Sequence, residues 1–253
     1  MKIADQVVLV TGAGRGLGAA IATAFVREGA RVVVNYRRST EAAKALVERL
    51  GPRAVALQAD VTDRGQIDRL VAAARDHFNK GITTIVNNAL GDYQFAGDAR
   101  PKGDVIAWEA FEGQFIAAVK GALNVIQATV PGMSANKFGR VVNIGTNLFQ
   151  NPVVPYHDYT AAKAAVLSLT RTMAVDLGPL GITVNMVSGG LLKKTDASAA
   201  TPDAVFDFVA SITPLGHVTT PEEFADTVLF FASPWARSVT GQNLVVDGGL
   251  VKD

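Results

Sequence analysis

A tyrosine and a lysine four residues apart, Tyr159 and Lys163, are the clearest candidates for acid–base chemistry in the sequence. On a helix, this spacing places both side chains on one face. Free tyrosine has a pKa of about 10, too high for ready proton exchange at neutral pH, and a neighbouring ammonium group lowers that pKa. Tyr159 could then give a proton to a substrate oxygen or take one back. The same spacing also occurs by chance on ordinary helix faces, so the pair alone leaves both interpretations open.

A glycine-rich segment near the N-terminus has the composition of a phosphate-binding turn. It has the sequence T-G-A-G-R-G-L-G over residues 11–18 and follows a short apolar run. Glycine permits positive φ angles and close backbone approach, and the N-terminus of a following helix offers N–H groups to a pyrophosphate. The alternative is a turn that merely packs a helix on a strand, and the position between a strand and a helix makes it the weaker interpretation. The candidate cofactor-binding residues here are Gly12, Gly14, Arg15, Gly16, Leu17 and Gly18.

The residues after the second apolar run indicate which nucleotide would bind. Folds that bind NAD place an acidic residue there for the ribose 2′-hydroxyl, but residues 34–39 have the sequence V-N-Y-R-R-S and contain no carboxylate. Arg37, joined by Arg15 from the glycine turn, suits a 2′-phosphate. We therefore expect NADP(H) as the cofactor. The alternative is that Arg37 and Arg38 are solvated charges at the start of a surface helix.

These residues need a scaffold, and the rest of the chain predicts one. Short apolar runs bounded by Gly, Asn, Asp or Pro predict strands over residues 7–10, 32–34, 54–57, 83–86, 141–144, 182–187 and 244–246. Alanine-rich stretches between them predict helices, with Ser39 or Thr40, Thr201 and Thr220 as starting residues. The alternation predicts an α/β fold, a single doubly wound parallel sheet with helices on both faces. Ligands bind beyond the carboxyl ends of such strands, so loops 90–104, 146–157 and 188–218 are the expected functional segments.

Composition excludes several classes of function. The 253 residues are 49% hydrophobic and carry a net charge of +1, a balance that gives no electrostatic footprint for nucleic acid or an anionic membrane. Cysteine is absent and there are three histidines, widely spaced, so we expect no disulfide and no metal site. No segment has the roughly 20 apolar residues of a membrane span, and no signal peptide is evident. We expect one cytoplasmic domain over residues 1–253.

Six motifs together resemble the short-chain dehydrogenase/reductase family. They are the glycine turn, Asp60-Val61, Asn87-Asn88-Ala89, Tyr159 with Lys163, Ile182 to Asn185, and the C-terminal T-G-Q-N-L-V-V-D-G-G at residues 240–249. Their order and spacing follow the family along nearly the whole chain, and within it the chain is most similar to 3-oxoacyl-[acyl-carrier-protein] reductases. The resemblance implies a Rossmann-type fold and an oxidoreductase.

The family pattern assigns roles to individual positions. It implies that Asp60 binds the adenine amino group, that Asn87 and Ala89 border the adenosine ribose, and that Tyr36 stands at the acidic position of the second strand. Lys163 would also bind the nicotinamide ribose. The cofactor-binding residues implied beyond the glycine turn are Tyr36, Arg37, Asp60, Val61, Asn87, Ala89, Tyr159, Lys163 and Gly189.

Four positions depart from the family pattern. Thr146 stands thirteen residues before Tyr159, where the family has a serine that holds the substrate carbonyl. Ala118 replaces the asparagine that supports a water relay to the lysine, Gly189 replaces a proline, and Leu90 replaces a glycine. Threonine keeps the hydroxyl donor, so we expect Thr146, Tyr159 and Lys163 to be the catalytic residues.

The expected function is NADPH-dependent reduction of a small-molecule carbonyl to an alcohol, with a 3-oxoacyl thioester on a carrier as one substrate. The alternatives are another small ketone, a sugar or a steroid, and, in a different class, a nucleotide-binding scaffold or sensor with little turnover. Residues 188–218 are the expected substrate lid. The resemblance also implies a homo-oligomer, a tetramer with the helices around 105–135 and 158–178 at an interface.

Overall fold

The fold is a seven-stranded sheet covered by helices on both faces, seen in a computed structural model that describes residues 1–193, 195 and 197–252. Lys194 and Asp196, within the expected lid, lie outside the described residues. The strands are β1 Val7–Val10, β2 Arg31–Tyr36, β3 Ala54–Gln58, β4 Thr84–Asn87, β5 Gly139–Thr146, β6 Ile182–Gly189 and β7 Asn243–Val246. The helices are α1 Gly16–Arg27, α2 Thr40–Leu50, α3 Arg64–Phe78, α4 Trp108–Phe115, α5 Gly121–Ala135, α6 His157–Leu177, α7 Asp203–Ile212 and α8 Pro221–Ala232. The predicted α/β class is confirmed.

All strand pairs are parallel, in the order β3-β2-β1-β4-β5-β6-β7. The order reverses direction between β1 and β4, which makes a crevice at the carboxyl ends of these two strands. The glycine turn follows β1, and Asn87 is the last residue of β4. The topology therefore brings two of the predicted binding segments to one crevice.

Alternation along each strand builds the two core layers. Val8 and Val10 of β1 pack with α1, α2 and α8 on one face, while Val7 and Leu9 pack with α3, α5 and α6 on the other. All four valine and leucine side chains of β1 are fully buried. A strand buried on both faces needs a continuous apolar run, which is the pattern that predicted it.

Three strands extend two residues beyond their predicted carboxyl ends. They end at Tyr36, Thr146 and Gly189. Polar and small residues interrupt the apolar run at these ends, yet the ladder of backbone hydrogen bonds continues. The extension places three predicted site residues at the sheet edge where ligands bind.

Helix starts follow the predicted signals in part. Thr220 forms a capping box with Glu223 at the start of α8, and Gly51 ends α2 with a φ of 73°. Thr201 does not cap α7, because Pro202 is the N-cap residue there and makes no side-chain capping hydrogen bond. No described helix has the length and apolar character needed to cross a bilayer.

Candidate active site

The three predicted catalytic side chains converge at the carboxyl end of β5. Tyr159 and Lys163 lie one turn apart on α6, and Thr146 ends β5. The Thr146 hydroxyl is hydrogen-bonded to the Tyr159 phenol. The Lys163 Nζ donates to the Ile144 carbonyl oxygen at 2.7 Å and lies 5.8 Å from the centre of the Tyr159 ring. The arrangement holds a phenol and a hydroxyl side by side, with an ammonium group behind them.

Burial dominates the acid–base properties of this pair. It raises the pKa of Tyr159 to about 12, against a lowering by the hydrogen bond with Thr146. It also lowers the pKa of Lys163 to about 8. The expected lowering of the tyrosine pKa by Lys163 is not seen, because loss of water around the phenolate outweighs the one lowering contact, the hydrogen bond with Thr146. At neutral pH Tyr159 therefore holds its proton and can donate it.

Aromatic side chains that the sequence analysis did not single out surround Tyr159. The ring centres of Tyr93 and Phe95 lie 5.2 and 5.4 Å from that of Tyr159, and Tyr156 packs against both. We call these four residues the aromatic cluster. Most of its ring pairs meet edge to face, and the Tyr93–Tyr159 pair is tilted by 32°. The cluster gives one side of the site an aromatic wall.

The loop that carries Tyr93 and Phe95 is anchored to the start of α6. Arg100 forms an ion pair with the buried Asp158 at 2.6 Å and stacks over the Tyr93 ring at 4.5 Å. The Tyr93 hydroxyl donates to the other Asp158 oxygen at 3.3 Å. Asp158 precedes Tyr159 directly, so this anchor fixes the loop against the catalytic turn.

The glycine turn has the backbone conformation that a phosphate cradle needs. Gly12 and Gly16 have φ angles of 62° and 54°. A Cβ atom on Gly12 would lie 2.9 Å from the Ala89 Cα, and one on Gly18 would lie 2.5 Å from the Gly12 oxygen. Helix α1 begins at Gly16 without a side-chain cap, so its first turn can offer N–H groups to a phosphate.

The remaining predicted cofactor residues line the same crevice. Tyr36 is buried at the end of β2. The Asp60 carboxylate accepts hydrogen bonds from the Thr62 backbone N–H and hydroxyl at 2.9 and 2.8 Å. Partial burial raises the pKa of Asp60, but these bonds and nearby Arg37 outweigh it and lower that pKa on balance. Asp60 is thus an ionised acceptor at the β3 side of the crevice.

Residues 34–39 contain no carboxylate, but two carboxylates from elsewhere in the chain contact the arginines of this segment. Arg37 forms ion pairs with Asp60 at 3.4 Å and with Asp92 at 3.2 Å, and Arg38 also pairs with Asp92. Asp92 is more than fifty residues away in the sequence and reaches the arginines because the segment after β4 folds back across the sheet edge. Its role here had no signal in the local sequence.

A small cavity lies beside Lys163 where the family asparagine is replaced. Ala118, Asn87, Ile144 and Val61 contribute to its walls. The Asn87 amide donates to the Asn143 oxygen at 2.8 Å, and Asn143 donates in turn to the Thr170 hydroxyl. Asn87 Oδ1 is buried and has no hydrogen-bond partner among the described residues. This row of side-chain hydrogen bonds therefore leaves one acceptor unpaired near Lys163.

The C-terminal motif supports the end of β5. Asp247 accepts a hydrogen bond from the Asn147 amide at 2.8 Å and from the backbone N–H groups of Gly249 and Leu250. Asn147 follows Thr146 directly. Gly189 ends β6, where a Cβ atom would lie 2.8 Å from the Phe224 ring. The tail therefore fixes the backbone next to Thr146, a role that the motif match alone did not reveal.

The described residues contain no group of three or more His, Asp and Glu side chains placed to hold a metal ion. The polar groups around Tyr159 include the Thr146 hydroxyl and the Lys163 ammonium.

Comparison with known proteins agrees with this geometry. Residues 12–251 match the family model described as enoyl-(acyl carrier protein) reductase. The chain is 35% identical to a 3-oxoacyl-[acyl-carrier-protein] reductase of Synechocystis, covering 97% of each protein. It is 36% identical to versicolorin reductase 1 of Aspergillus parasiticus, covering 98% of this chain and 97% of that protein.

A solved structure has the same architecture. It is a short-chain dehydrogenase/reductase from Brucella melitensis, titled glucose/ribitol dehydrogenase, with a TM-score of 0.88, 25% identity and full coverage of both chains. The family match extends over nearly the whole chain, and the pair predicted to be catalytic, Tyr159 and Lys163, lies at the sheet edge that also carries the glycine turn. The chain belongs to the short-chain dehydrogenase/reductase family, whose members are oxidoreductases that use nicotinamide cofactors.

Proposed function

We propose that the protein reduces a ketone to an alcohol with NADPH, and that Tyr159 is the proton donor. The observation that carries the proposal is the Tyr159 phenol, which is protonated at neutral pH, hydrogen-bonded to Thr146 and backed by Lys163. Two hydroxyl groups side by side can both donate to one carbonyl oxygen as negative charge develops on it.

Each residue has a distinct task in this reaction. Thr146 holds the carbonyl oxygen, and Tyr159 transfers its proton to that oxygen. When bound, reduced nicotinamide supplies the hydride that the carbonyl carbon accepts. The Lys163 ammonium, whose pKa is about 8, stabilises the tyrosinate left behind, because an opposite charge nearby favours the ionised form.

The residues present fit a nicotinamide cofactor. The backbone of the glycine turn leaves no room for side chains at Gly12 and Gly18 and faces the N-terminus of α1, which suits a pyrophosphate. Asp60 and Val61 then stand at the adenosine end, and Lys163 at the nicotinamide end. Gly189, Asn87 and Ala89 border the crevice between these ends.

NADPH is the proposed form of the cofactor because two arginines, Arg37 and Arg38, follow Tyr36 at the end of β2. Hydrogen bonds to charged groups are worth roughly 1.5–3 kcal/mol, so NADPH should bind at least about tenfold more tightly than NADH. Calorimetric titration of both cofactors tests this expectation. Arg37→Asp should reverse the preference, and equal affinities in the parent protein would contradict the assignment.

A 3-oxoacyl thioester is the first substrate class to test, because the chain is similar to a 3-oxoacyl-[acyl-carrier-protein] reductase. The aromatic cluster favours a second candidate, an aryl ketone that packs against Tyr93 and Phe95. A panel of acyl thioesters, aryl ketones, sugars and steroids, followed by NADPH absorbance, separates the two. No turnover with any ketone would instead favour a nucleotide-binding scaffold.

A further inference from the structure

Asp92 pairs with the arginines that would meet the 2′-phosphate of the proposed cofactor. Its carboxylate pairs with Arg37 and with Arg38, the two arginines that follow Tyr36 at the end of β2. The hydrogen bond from Arg38 and the attraction of both guanidinium groups hold the pKa of Asp92 below its usual value. The side chain is therefore an anion at neutral pH, and it meets the same donors as a phosphate would.

The ion pairs between Asp92 and the two arginines can be replaced by pairs with a bound ligand. The Asp92 side chain is 67% exposed, and those of Arg37 and Arg38 are 41% and 68% exposed. Exposed ion pairs are individually weak, so a ligand can replace them at low cost. A phosphate carries more charge and more acceptor oxygens than one carboxylate, which lets it win the competition.

Asp92 is nevertheless not a freely moving surface charge. The next residue, Tyr93, donates to Asp158 at 3.3 Å and lies under Arg100, which pairs with Asp158 at 2.6 Å. The loop is thus fixed at the catalytic turn, and it delivers Asp92 to the arginines. An anchored carboxylate competes more effectively than one on a loose segment, because less conformational freedom is lost when it pairs.

We propose that Asp92 is a specificity-determining residue that competes with the 2′-phosphate for Arg37 and Arg38. In the protein without cofactor, the Asp92 carboxylate pairs with both arginines. A 2′-phosphate displaces Asp92 from them, whereas NADH has no group that does so. Asp92 therefore lowers the affinity for NADPH and reduces the discrimination between the two cofactors. The inference rests on the proposed use of NADPH.

The test is calorimetric binding of NADPH, NADH and adenosine 2′,5′-bisphosphate to the full-length protein and to Asp92→Asn. The last ligand probes the 2′-phosphate without the nicotinamide. Asp98→Asn is the matched control, since Asp98 is a carboxylate of the same loop whose partner is Lys102 at 2.9 Å. It should leave all three affinities unchanged.

Asp92→Asn should tighten NADPH and the bisphosphate about two- to tenfold, the factor that the loss of one or two exposed ion pairs is worth. The affinity for NADH should change by less than about twofold, because NADH has no 2′-phosphate to pair with these arginines. Equal tightening of NADH would show a general charge effect and overturn the inference. Weaker NADPH binding would also overturn it, since Asp92 would then be positioning the arginines.

The outcomes separate this inference from the proposed cofactor. If the parent protein prefers NADH but Asp92→Asn still shifts the ratio of affinities towards NADPH, the cofactor assignment fails and the competition stands. If Asp92→Asn weakens NADH selectively, Asp92 binds the ribose hydroxyl and both proposals fail.

Discussion

At the scale of single residues, burial of the Lys163 ammonium lowers the stability of the folded protein. Its side chain is 5% exposed, and burial lowers its pKa from 10.5 to about 8. A folded-state pKa below the unfolded value means that the charged form is disfavoured in the folded protein. The proposed reaction needs that charge beside Tyr159, which gives a reason for a destabilising group at this position.

Lys163→Met should therefore stabilise the protein while abolishing turnover. With the pKa at about 8 instead of 10.5, the gain at pH 7 should be about 1–3 kcal/mol, after loss of the hydrogen bond to Ile144. The lysine penalty is fully present below pH 8 and disappears as pH rises towards 10.5, because the unfolded chain binds the extra proton only in that window. Urea unfolding at pH 7 and pH 10 should show the difference between the two proteins shrinking. A variant less stable than the parent at pH 7 would contradict the pKa argument.

Thr146 should carry the role of carbonyl donor. Thr146→Val keeps the shape and removes the hydroxyl, so the rate with the best ketone should fall roughly 10²–10³-fold, as for loss of one oxyanion donor. Thr146→Ser retains the donor and should be mild. NADPH affinity, measured in parallel, should stay near the parent value in both. Full activity in Thr146→Val would show that another group holds the carbonyl.

The placement of residues was predictable where it depends on spacing along one element. Tyr159 and Lys163 share a helix face, and Thr146 lies close because β5 feeds into α6. Asp92 was not predictable, since its pairing joins positions 54 and 55 residues apart. The aromatic cluster was missed for a similar reason, because its loop has no periodic pattern to indicate which side chains turn inward.

At the scale of elements, the strands followed from their apolar runs, but their functional ends did not. In three strands the apolar run stops two residues before the backbone pairing does. The last two paired residues are Asn35-Tyr36 in β2, Gly145-Thr146 in β5 and Ser188-Gly189 in β6. The π-helical turn Ile116–Lys120 between α4 and α5 was also not predicted. Its residues are ordinary helix formers, so only tertiary packing selects the wider turn.

This turn places Ala118 against the cavity beside Lys163 and Asn87. Ala118→Asn should change the ketone reduction rate less than about threefold, or raise it, because a proton can reach Lys163 through water when the cavity is hydrated. The new amide could pair with Asn87 Oδ1, so the variant should fold normally by circular dichroism. A loss of a hundredfold or more in a folded variant would show that the cavity must stay open.

At the scale of the whole molecule, the parallel sheet gathers residues from the ends of six strands, β1 to β6, at one edge. Two helices expose large apolar side chains to solvent. Trp108 of α4 is 68% exposed, and Val175 of α6 is 75% exposed. Both lie in the segments where the family resemblance implies subunit contacts. We infer that these helices pair in a homotetramer.

Light scattering should then give four times the 26.5 kDa chain mass at micromolar concentration. Val175→Glu should dissociate the assembly, because a charge at the centre of an interface is left unpaired. Val153→Glu is the control, since Val153 is 69% exposed outside these helices and should leave the mass unchanged. A monomeric parent protein would contradict the inference.

The most direct test of the account is the single-turnover rate of ketone reduction by Tyr159→Phe, with NADPH binding measured on the same preparation. Removing only the phenolic oxygen takes away the proton donor and leaves the ring packed in the aromatic cluster. The account predicts that NADPH affinity stays within about twofold and that the rate falls at least 10²-fold, in the range that general acid catalysis contributes. Near-parental reduction of the best ketone by Tyr159→Phe would contradict it.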